Sequence, residues 1–249
     1  DMNILITGAS GFIGSRIAKY FSKRNKVTCN FYNRPIKLKK VNKVKIDITK
    51  KINLKENIDT IIHCASKTPV NCYENKIIFN QNVKMMKNLI SLAKNKNVKN
   101  FIFISSVSAF GKINKKFLLE TDKPIQPNSY GRSKIKCENL LYEYSKKRDN
   151  LKFLSIRLPG TVGYGSHGNF ISEITKKILK NKKIKASNQF SNFNNIIYVD
   201  DLSSFLDNFI KRCWSRYKFI NIASKNFMQI GEVINLIYKK LKKKKNIEW

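Results

Sequence analysis

Apolar residues along this chain follow two rhythms: short, nearly unbroken bursts of Ile, Val and Phe alternate with longer stretches in which they recur every three or four positions. The first rhythm suits strands covered on both faces, the second suits helices with one buried stripe. Ile4-Leu5-Ile6 is the first burst, and Ser15 to Phe21 reads as the helix after it. Lys26 to Tyr32 predicts a second strand, closed by Asn33-Arg34-Pro35, and Val44-Lys45-Ile46 a short third, ended by Asp47. Asp59 to Ala65 is the fourth. A long helix is expected from about Glu74 to Lys96, with Ile77, Ile78, Val83, Met86, Leu89, Ile90 and Ala93 on its buried face. Phe101 to Ser105 is a fifth strand, and a loop rich in Lys and Pro runs from Gly111 to about Pro127. A helix from Tyr130 to Lys146 and a sixth strand from Leu151 to Ile156 follow. Beyond Pro159 the pattern shortens. Helices are expected near Phe170–Leu179, Asp201–Arg212 and Gln229–Leu241, with strands around Ile196–Val199 and Lys218–Ile222. This alternation predicts an α/β fold with a doubly wound parallel sheet: one domain over residues 1–158 and a mixed segment over 159–249.

The join between the first strand and first helix carries Gly8, Gly11 and Gly14 in a G-x-x-G-x-x-G run. Glycines there allow a tight turn, close approach of backbone to a pyrophosphate, and close packing of helix on strand. The unpaired N–H groups and positive dipole end of the helix then face the phosphates. Further along, Tyr130 and Lys134 stand four apart on a predicted helix, so phenol and ammonium share a face. A nearby positive charge favours phenolate and makes the tyrosine a usable base. Ser105-Ser106 closes the fifth strand, at the carboxyl edge where open α/β sheets bind ligands.

Composition changes the picture little. At 249 residues, 42% hydrophobic and 11% aromatic, the chain can bury a full core. No apolar run approaches a membrane span and no charged-then-apolar leader precedes the first strand, so a soluble cytoplasmic protein without a membrane partner is expected. Cys29, Cys64, Cys72, Cys137 and Cys213 lack C-x-x-C spacing, which supports neither a disulfide framework nor a metal site; Cys29 and Cys64 read as small apolar residues within strands. The formal charge is +34, yet the lysines are spread among abundant Asn and Ile. No dedicated nucleic-acid role is expected; the charge helps to hold an anionic cofactor and substrate. Lys242 to Lys245 reads as a frayed, solvated helix end.

From Ile4 to about Leu241 the chain resembles the extended short-chain dehydrogenase/reductase family, in its sugar-nucleotide epimerase/dehydratase branch. Gly8, Gly11 and Gly14 match the glycine motif, Asp47-Ile48 the segment that meets adenine, His63-Cys64-Ala65-Ser66 a strand end beside the cofactor, and Asn82-Val83 a helix asparagine. Ser105 to Gly111 is similar to the stretch carrying the catalytic serine, which puts that role on Ser106; Tyr130 and Lys134 match the catalytic pair. Arg157-Leu158-Pro159-Gly160 and Tyr198-Val199-Asp200-Asp201 match later landmarks. The resemblance implies a Rossmann-type sheet with a small, shortened C-terminal substrate lobe. It implies a cofactor site built from Gly8, Ser10, Gly11, Phe12, Ile13, Gly14, Asn33, Arg34, Asp47, Ile48, Cys64, Ala65, Ser66, Asn82, Ser105, Tyr130, Lys134 and Pro159. Substrate contacts would come from Thr68, Ser106, Tyr130, Asn169 and Phe170, and a homodimer is expected. His63 is expected to pack rather than to transfer protons, and His167 is given no role.

The implied reaction is hydride transfer. Lys134 binds the nicotinamide ribose and stabilises ionised Tyr130, Tyr130 removes a sugar hydroxyl proton, and Ser106 holds the developing carbonyl. Three departures qualify it. Tyr32 and Asn33 stand where an acidic residue would bind the ribose of NAD, and Arg34 can accommodate a 2′-phosphate, so NADP is expected ahead of NAD. Gly160 and Asn194 replace an asparagine and a diphosphate-clamping arginine of relatives. The chain also stops at Trp249, short of the usual carboxyl-terminal segment. Val107 and Ser108 stand where dehydratases carry acidic residues, which favours an epimerase or keto-sugar reductase acting on a nucleotide-linked sugar. A non-sugar carbonyl reductase and a non-catalytic NAD(P)-binding or RNA-associated protein remain alternatives.

Overall fold

A computed structural model of the chain describes residues 1–69, 75–115, 117–193, 195–212 and 217–249. They form two compact units, Asp1–Leu158 with Val199–Ile222, and Pro159–Tyr198 with Ala223–Trp249. The first unit contains β1 (Asn3–Thr7), α1 (Phe12–Phe21), β2 (Lys26–Phe31), β3 (Asn42–Lys45), β4 (Thr60–His63), α2 (Asn75–Asn95), β5 (Asn100–Ser106), a 3-10 turn (Val107–Phe110), α3 (Ser129–Lys146) and β6 (Lys152–Leu158). The second unit begins with β7 (Gly160–Val162), α4 (Phe170–Leu179), β8 (Ile184–Lys185), β9 (Asn192–Phe193) and β10 (Ile196–Tyr198). The chain returns to the first unit with α5 (Val199–Lys211) and β11 (Tyr217–Asn221), then completes the second with β12 (Met228–Gln229), α6 (Ile230–Leu241) and β13 (Ile247–Glu248).

The sheet of the first unit runs β3-β2-β1-β4-β5-β6-β11, and all six pairings are parallel. Strand order reverses between β1 and β4, which opens a crevice at their carboxyl ends. Ile4, Leu5 and Ile6 of β1 and Phe101, Ile102 and Phe103 of β5 are buried at consecutive positions, as strands covered on both faces require. Met86, Leu89 and Ala93 of α2 join Leu141 of α3 and Phe101 and Phe153 in one core cluster. Ile77, expected on that stripe, is exposed instead, and Ile78 takes the buried position.

The first and third glycines fix how α1 sits on the sheet. Gly8 has φ +66°, and a Cβ on it would lie 2.7 Å from the Ala65 backbone. A Cβ on Gly14 would lie 2.4 Å from the Gly8 carbonyl oxygen. At its far side α1 meets α5, where Arg16 forks onto the Asp200 carboxylate at 2.7 and 2.8 Å.

Boundaries shift where backbone pairing outweighs side-chain pattern. The third strand begins at polar Asn42, because Asn42–Lys45 aligns with Thr28–Phe31. The sixth runs on to Leu158, paired with Ser106. The short strands β7, β8, β9, β12 and β13 carry too few residues to show a period. Lys242–Lys245 is exposed over most of its length, but it is not frayed. Lys242 turns the chain with φ +52°, the Lys243 N–H donates to the Tyr238 carbonyl at 3.1 Å, and β13 pairs in parallel with β8. Asn75 opens the described part of the long helix; Glu74, Cys72, Asn194 and Cys213 lie outside the described residues.

Gly14→Ala tests the packing. An exposed helical glycine gains about 1 kcal/mol on becoming alanine; here the methyl meets the Gly8 carbonyl, and a loss of about 1–3 kcal/mol is expected in urea unfolding.

Candidate active site

The crevice is built from four segments of the first unit. The Gly8 N-terminal strand ends in a turn closed by the Gly11 N–H on the Gly8 carbonyl at 2.9 Å, and the Ala9 N–H donates to the Asn30 carbonyl at 3.1 Å. No side chain caps α1 at Gly11. The first-turn N–H groups of Phe12 and Ile13 therefore have the open character that suits an anion. Gly8, Ser10, Gly11, Asn33, Arg34, Asp47, Ile48, Cys64, Ala65 and Ser66, all expected around the cofactor, line one cavity of about 650 Å³. Lys67, Gln81 and Met85 join them, and the sequence reading missed these three. Gln81 Oε1 is buried without a hydrogen-bond partner among the described residues. Such an orphan acceptor in a cleft of this size, beside a bare helix end, fits a dinucleotide with its own amino and hydroxyl donors.

Other expected cofactor residues serve the chain itself. Asn82 Oδ1 accepts the Lys67 N–H at 2.8 Å, while its Nδ2 donates to the Lys67 carbonyl at 3.1 Å and to Ser133 Oγ at 3.0 Å. It locks the loop after β4 onto α2 and α3. Burial works against the Asp47 carboxylate, but the Thr49 hydroxyl and N–H with the charges of Lys50 and Lys67 outweigh it and hold the carboxyl below its ordinary range. Thr68 is half-buried in the same loop as Ser66.

At the β5 end the pleat separates two neighbouring serines. Ser105 is buried and donates to Glu138 Oε1 at 2.5 Å, and Arg157 grips the same carboxylate through Nε at 3.1 Å and Nη2 at 2.8 Å. The hydroxyl hydrogen of Ser105 is thereby committed within the chain. Half-buried Ser106 accepts the Ser108 N–H at 3.1 Å and caps the 3-10 turn. The α3 N-cap Asn128 accepts the Gly131 N–H at 2.8 Å, and a Cβ on Gly131 would lie 2.1 Å from the Ser108 carbonyl oxygen. Tyr130 thus starts a helix pressed against the turn that Ser106 caps.

Lys134 is buried. Its ammonium donates to the Ile104 carbonyl at 2.8 Å and lies 4.8 Å from the Phe103 ring and 5.3 Å from the Tyr130 ring. Its charge reaches the neighbouring strand end. Burial, reinforced by Lys134, drives the His63 imidazole down to about 3, and His63 packs against Phe103 at 5.5 Å with Nδ1 2.7 Å from Thr7 Oγ1. Burial pushes the Cys64 and Cys29 thiols up to about 12, so neither is a nucleophile at neutral pH.

Comparison with known proteins identifies the family of the chain. The model of the NAD dependent epimerase/dehydratase family matches residues 4–223. The chain belongs to that family. It is an enzyme family, and NAD is the cofactor its name carries. The chain is 26% identical over 250 residues to N-acetyl-alpha-D-glucosaminyl-diphospho-ditrans,octacis-undecaprenol 4-epimerase of Escherichia coli O157:H7, covering 97% of this chain and 73% of that protein. It is 27% identical to the dTDP-D-glucose 4,6-dehydratase of Dictyostelium discoideum over 84% of this chain and 55% of that one. A crystal structure of UDP-glucuronic acid 4-epimerase from Bacillus cereus in complex with NAD superposes with a TM-score of 0.86 at 21% identity, covering 99% of this chain and 85% of that one.

Within this family member, two residues of the second unit expected at the substrate are bound into its framework. Asn169 caps α4, accepting the Ser172 N–H at 3.0 Å and donating to the Thr161 carbonyl at 3.0 Å. Phe170 packs on Phe193 at 5.3 Å. The Pro159 carbonyl accepts the Thr161 hydroxyl at 3.3 Å. His167 is exposed.

The displaced imidazole predicts a pH effect. His63 stays neutral in the fold down to about pH 3, whereas in the unfolded chain it charges near its reference value of about 6.5. Unfolding takes up a proton between those values, so the contribution is complete above pH 6.5 and lost as pH falls. The stability advantage of the wild type over His63→Asn should shrink by about 1.4 kcal/mol per pH unit below about pH 6.5, read from paired urea melts.

Proposed function

We propose that the protein is an NAD-dependent epimerase that inverts a hydroxyl-bearing carbon of a hexose carried on a nucleotide diphosphate. The observation that carries this reading is the buried ammonium of Lys134, 5.3 Å from the Tyr130 ring, on a helix packed against the turn that Ser106 caps. The relatives named above support sugar chemistry at carbon 4.

The chemistry that NAD supplies when bound is reversible hydride transfer with the sugar carbon. Tyr130 Oη would accept the proton of the sugar hydroxyl as the carbon loses hydride, and would give that proton back to the same oxygen once hydride has returned to the carbon's opposite face. Lys134 would set its charge beside the Tyr130 ring, and its donors beyond the one given to Ile104 suit a ribose diol. Ser106 Oγ, which accepts from Ser108, keeps its own hydrogen to donate to the sugar oxygen as carbonyl character grows. The main chain of Gly8 to Ile13 would hold the pyrophosphate, and Asp47 with Gln81 would offer acceptors to the adenine end.

The finer expectation of NADP rests on Arg34, exposed on the cleft wall. Arg34→Ser should weaken NADP binding about tenfold or more while changing NAD affinity little, in a fluorescence titration of both cofactors. An equal effect on the two would remove Arg34 from cofactor choice.

The direct test incubates purified protein with UDP-hexoses and with a polyprenyl-diphosphate sugar, and follows the sugar configuration by NMR. Epimerisation without net NADH formation is expected. Stoichiometric consumption of reduced cofactor would replace the epimerase with a keto-sugar reductase. Tyr130→Phe should lower turnover by about 100-fold or more with NAD affinity retained. Full activity in that variant would overturn the proton-transfer assignment.

A further inference from the structure

Residues 176–185 and 239–245 hold twelve lysines in seventeen positions, whereas Lys and Arg together make up 50 of 249 residues over the whole chain. Far apart in sequence, the two runs are neighbours in the second unit. Helices α4 and α6 pack through Ile174, Ile178, Ile234 and Tyr238. Lys243 Nζ donates to Asn181 Oδ1 at 3.1 Å and ties their carboxyl-terminal ends together. The pairing of β13 with β8 then lays the segment after Lys245 alongside Lys185. Two carboxylates answer this charge, Glu173 on Lys176 at 2.9 Å and Glu248 on Lys183 at 3.0 Å. Between the runs lies a cleft of about 410 Å³ whose walls include Lys182, Lys244, Lys245, Asn181 and Asn246.

Apolar side chains stand out among the lysines. Leu179 is 53% exposed, Leu236 42% and Trp249 44%. Helical spacing puts Leu179 on one face with Lys176, with Lys180 next to it at the helix end, and Leu236 on one face with Lys239 and Lys240. Each helix therefore offers water a leucine flanked by ammonium groups on long, flexible stems. Trp249 directly follows β13.

We infer that this end of the second unit is a docking surface for an anionic phospholipid membrane. Lysine clusters are attracted to negatively charged headgroups by a term that adds residue by residue. Their methylene stems lie along the interface while leucine and tryptophan enter the headgroup–acyl boundary. The cleft offers the lipid phosphodiester several ammonium and amide donors. A polynucleotide fits less well: neither run contains arginine, the exposed leucines offer no stacking face, and Trp249 is a single platform. The inference stands apart from the proposed epimerase reaction.

The full chain is tested by co-sedimentation with vesicles of phosphatidylcholine containing about one-third phosphatidylglycerol, and with phosphatidylcholine alone, in physiological salt. Binding to the first and not the second is expected. Lys180→Gln, Lys182→Gln, Lys240→Gln and Lys244→Gln combined should lower the partition coefficient roughly 100-fold. Lys84→Gln, Lys87→Gln, Lys94→Gln and Lys99→Gln, which remove the same charge from exposed positions on and beside α2, should lower it less than about fivefold. Leu179→Ser with Leu236→Ser changes only exposed side chains, so it keeps the test open if the lysine variant misfolds; it should weaken vesicle binding about tenfold. Equal loss in both lysine variants would show delocalised charge and overturn the assignment. Absence of vesicle binding, or binding of an oligouridylate that depends on the four cluster lysines and not on the leucines, would overturn it as well.

Discussion

The backbone of this protein leaves no room for a side chain at Gly8 or Gly14, and the shape of the crevice follows from that. With a Cβ excluded 2.7 Å from the Ala65 backbone, the turn after β1 lies directly on the loop after β4. With another excluded 2.4 Å from the Gly8 carbonyl, α1 begins immediately above the same turn. Two strand ends and a helix start meet where the order of strands reverses. The glycine turn contributes main chain to one wall of the cavity left between them. A surface of that kind suits a ligand whose phosphates need N–H groups rather than lysines.

A second arrangement at the neighbouring edge pairs Arg157 with Glu138 and leaves Lys134 a separate partner. Glu138 lies one helical turn beyond Lys134 on α3, within the reach that i, i+4 spacing gives an ion pair. Arg157 occupies both of its oxygens and Ser105 adds a further bond to one of them. The carboxylate is thus satisfied inside the sheet–helix interface, and the Lys134 ammonium keeps a carbonyl as its partner. Its charge reaches His63 and Cys64 at the neighbouring strand end. The buried fork and the Lys134 ammonium thus stand side by side on α3 with separate partners, the ammonium 5.3 Å from the Tyr130 ring.

Much of this was legible in the chain. The parallel sheet followed from Ile4–Ile6 and Phe101–Ile104, whose unbroken apolar runs admit burial on both faces. The glycine turn followed from spacing, and the helix carrying Tyr130 and Lys134 from its flanking pattern. What stayed hidden depends on contacts between distant segments. Nothing around Gln81 or Met85 distinguishes them from other residues of a long helix; they line the cleft because α2 is held there by Asn82. The burial of Ser105 with Glu138 needs the β5 pleat and the α3 rotation together. The ordered end after Lys242 was equally invisible, because a two-residue strand has no period and its partner lies some sixty residues earlier.

A residue that matches a motif can contact a ligand only with atoms the fold has left over, and the matched residues differ sharply on that count. Asn82 spends its amide oxygen and nitrogen on Lys67 and Ser133, and so acts on the cleft by shaping the loop that lines it. Asn169 spends both ends of its amide on Ser172 and Thr161. Asp47 is the opposite case: Thr49 contributes its N–H at 3.0 Å and its hydroxyl at 2.7 Å, both to Oδ1. The second oxygen, on a carboxyl kept ionised, stays available on the wall of the cavity. Of these three polar side chains, Asp47 is therefore the one with an oxygen left over for a ligand, while Asn82 and Asn169 each brace a loop of their own unit.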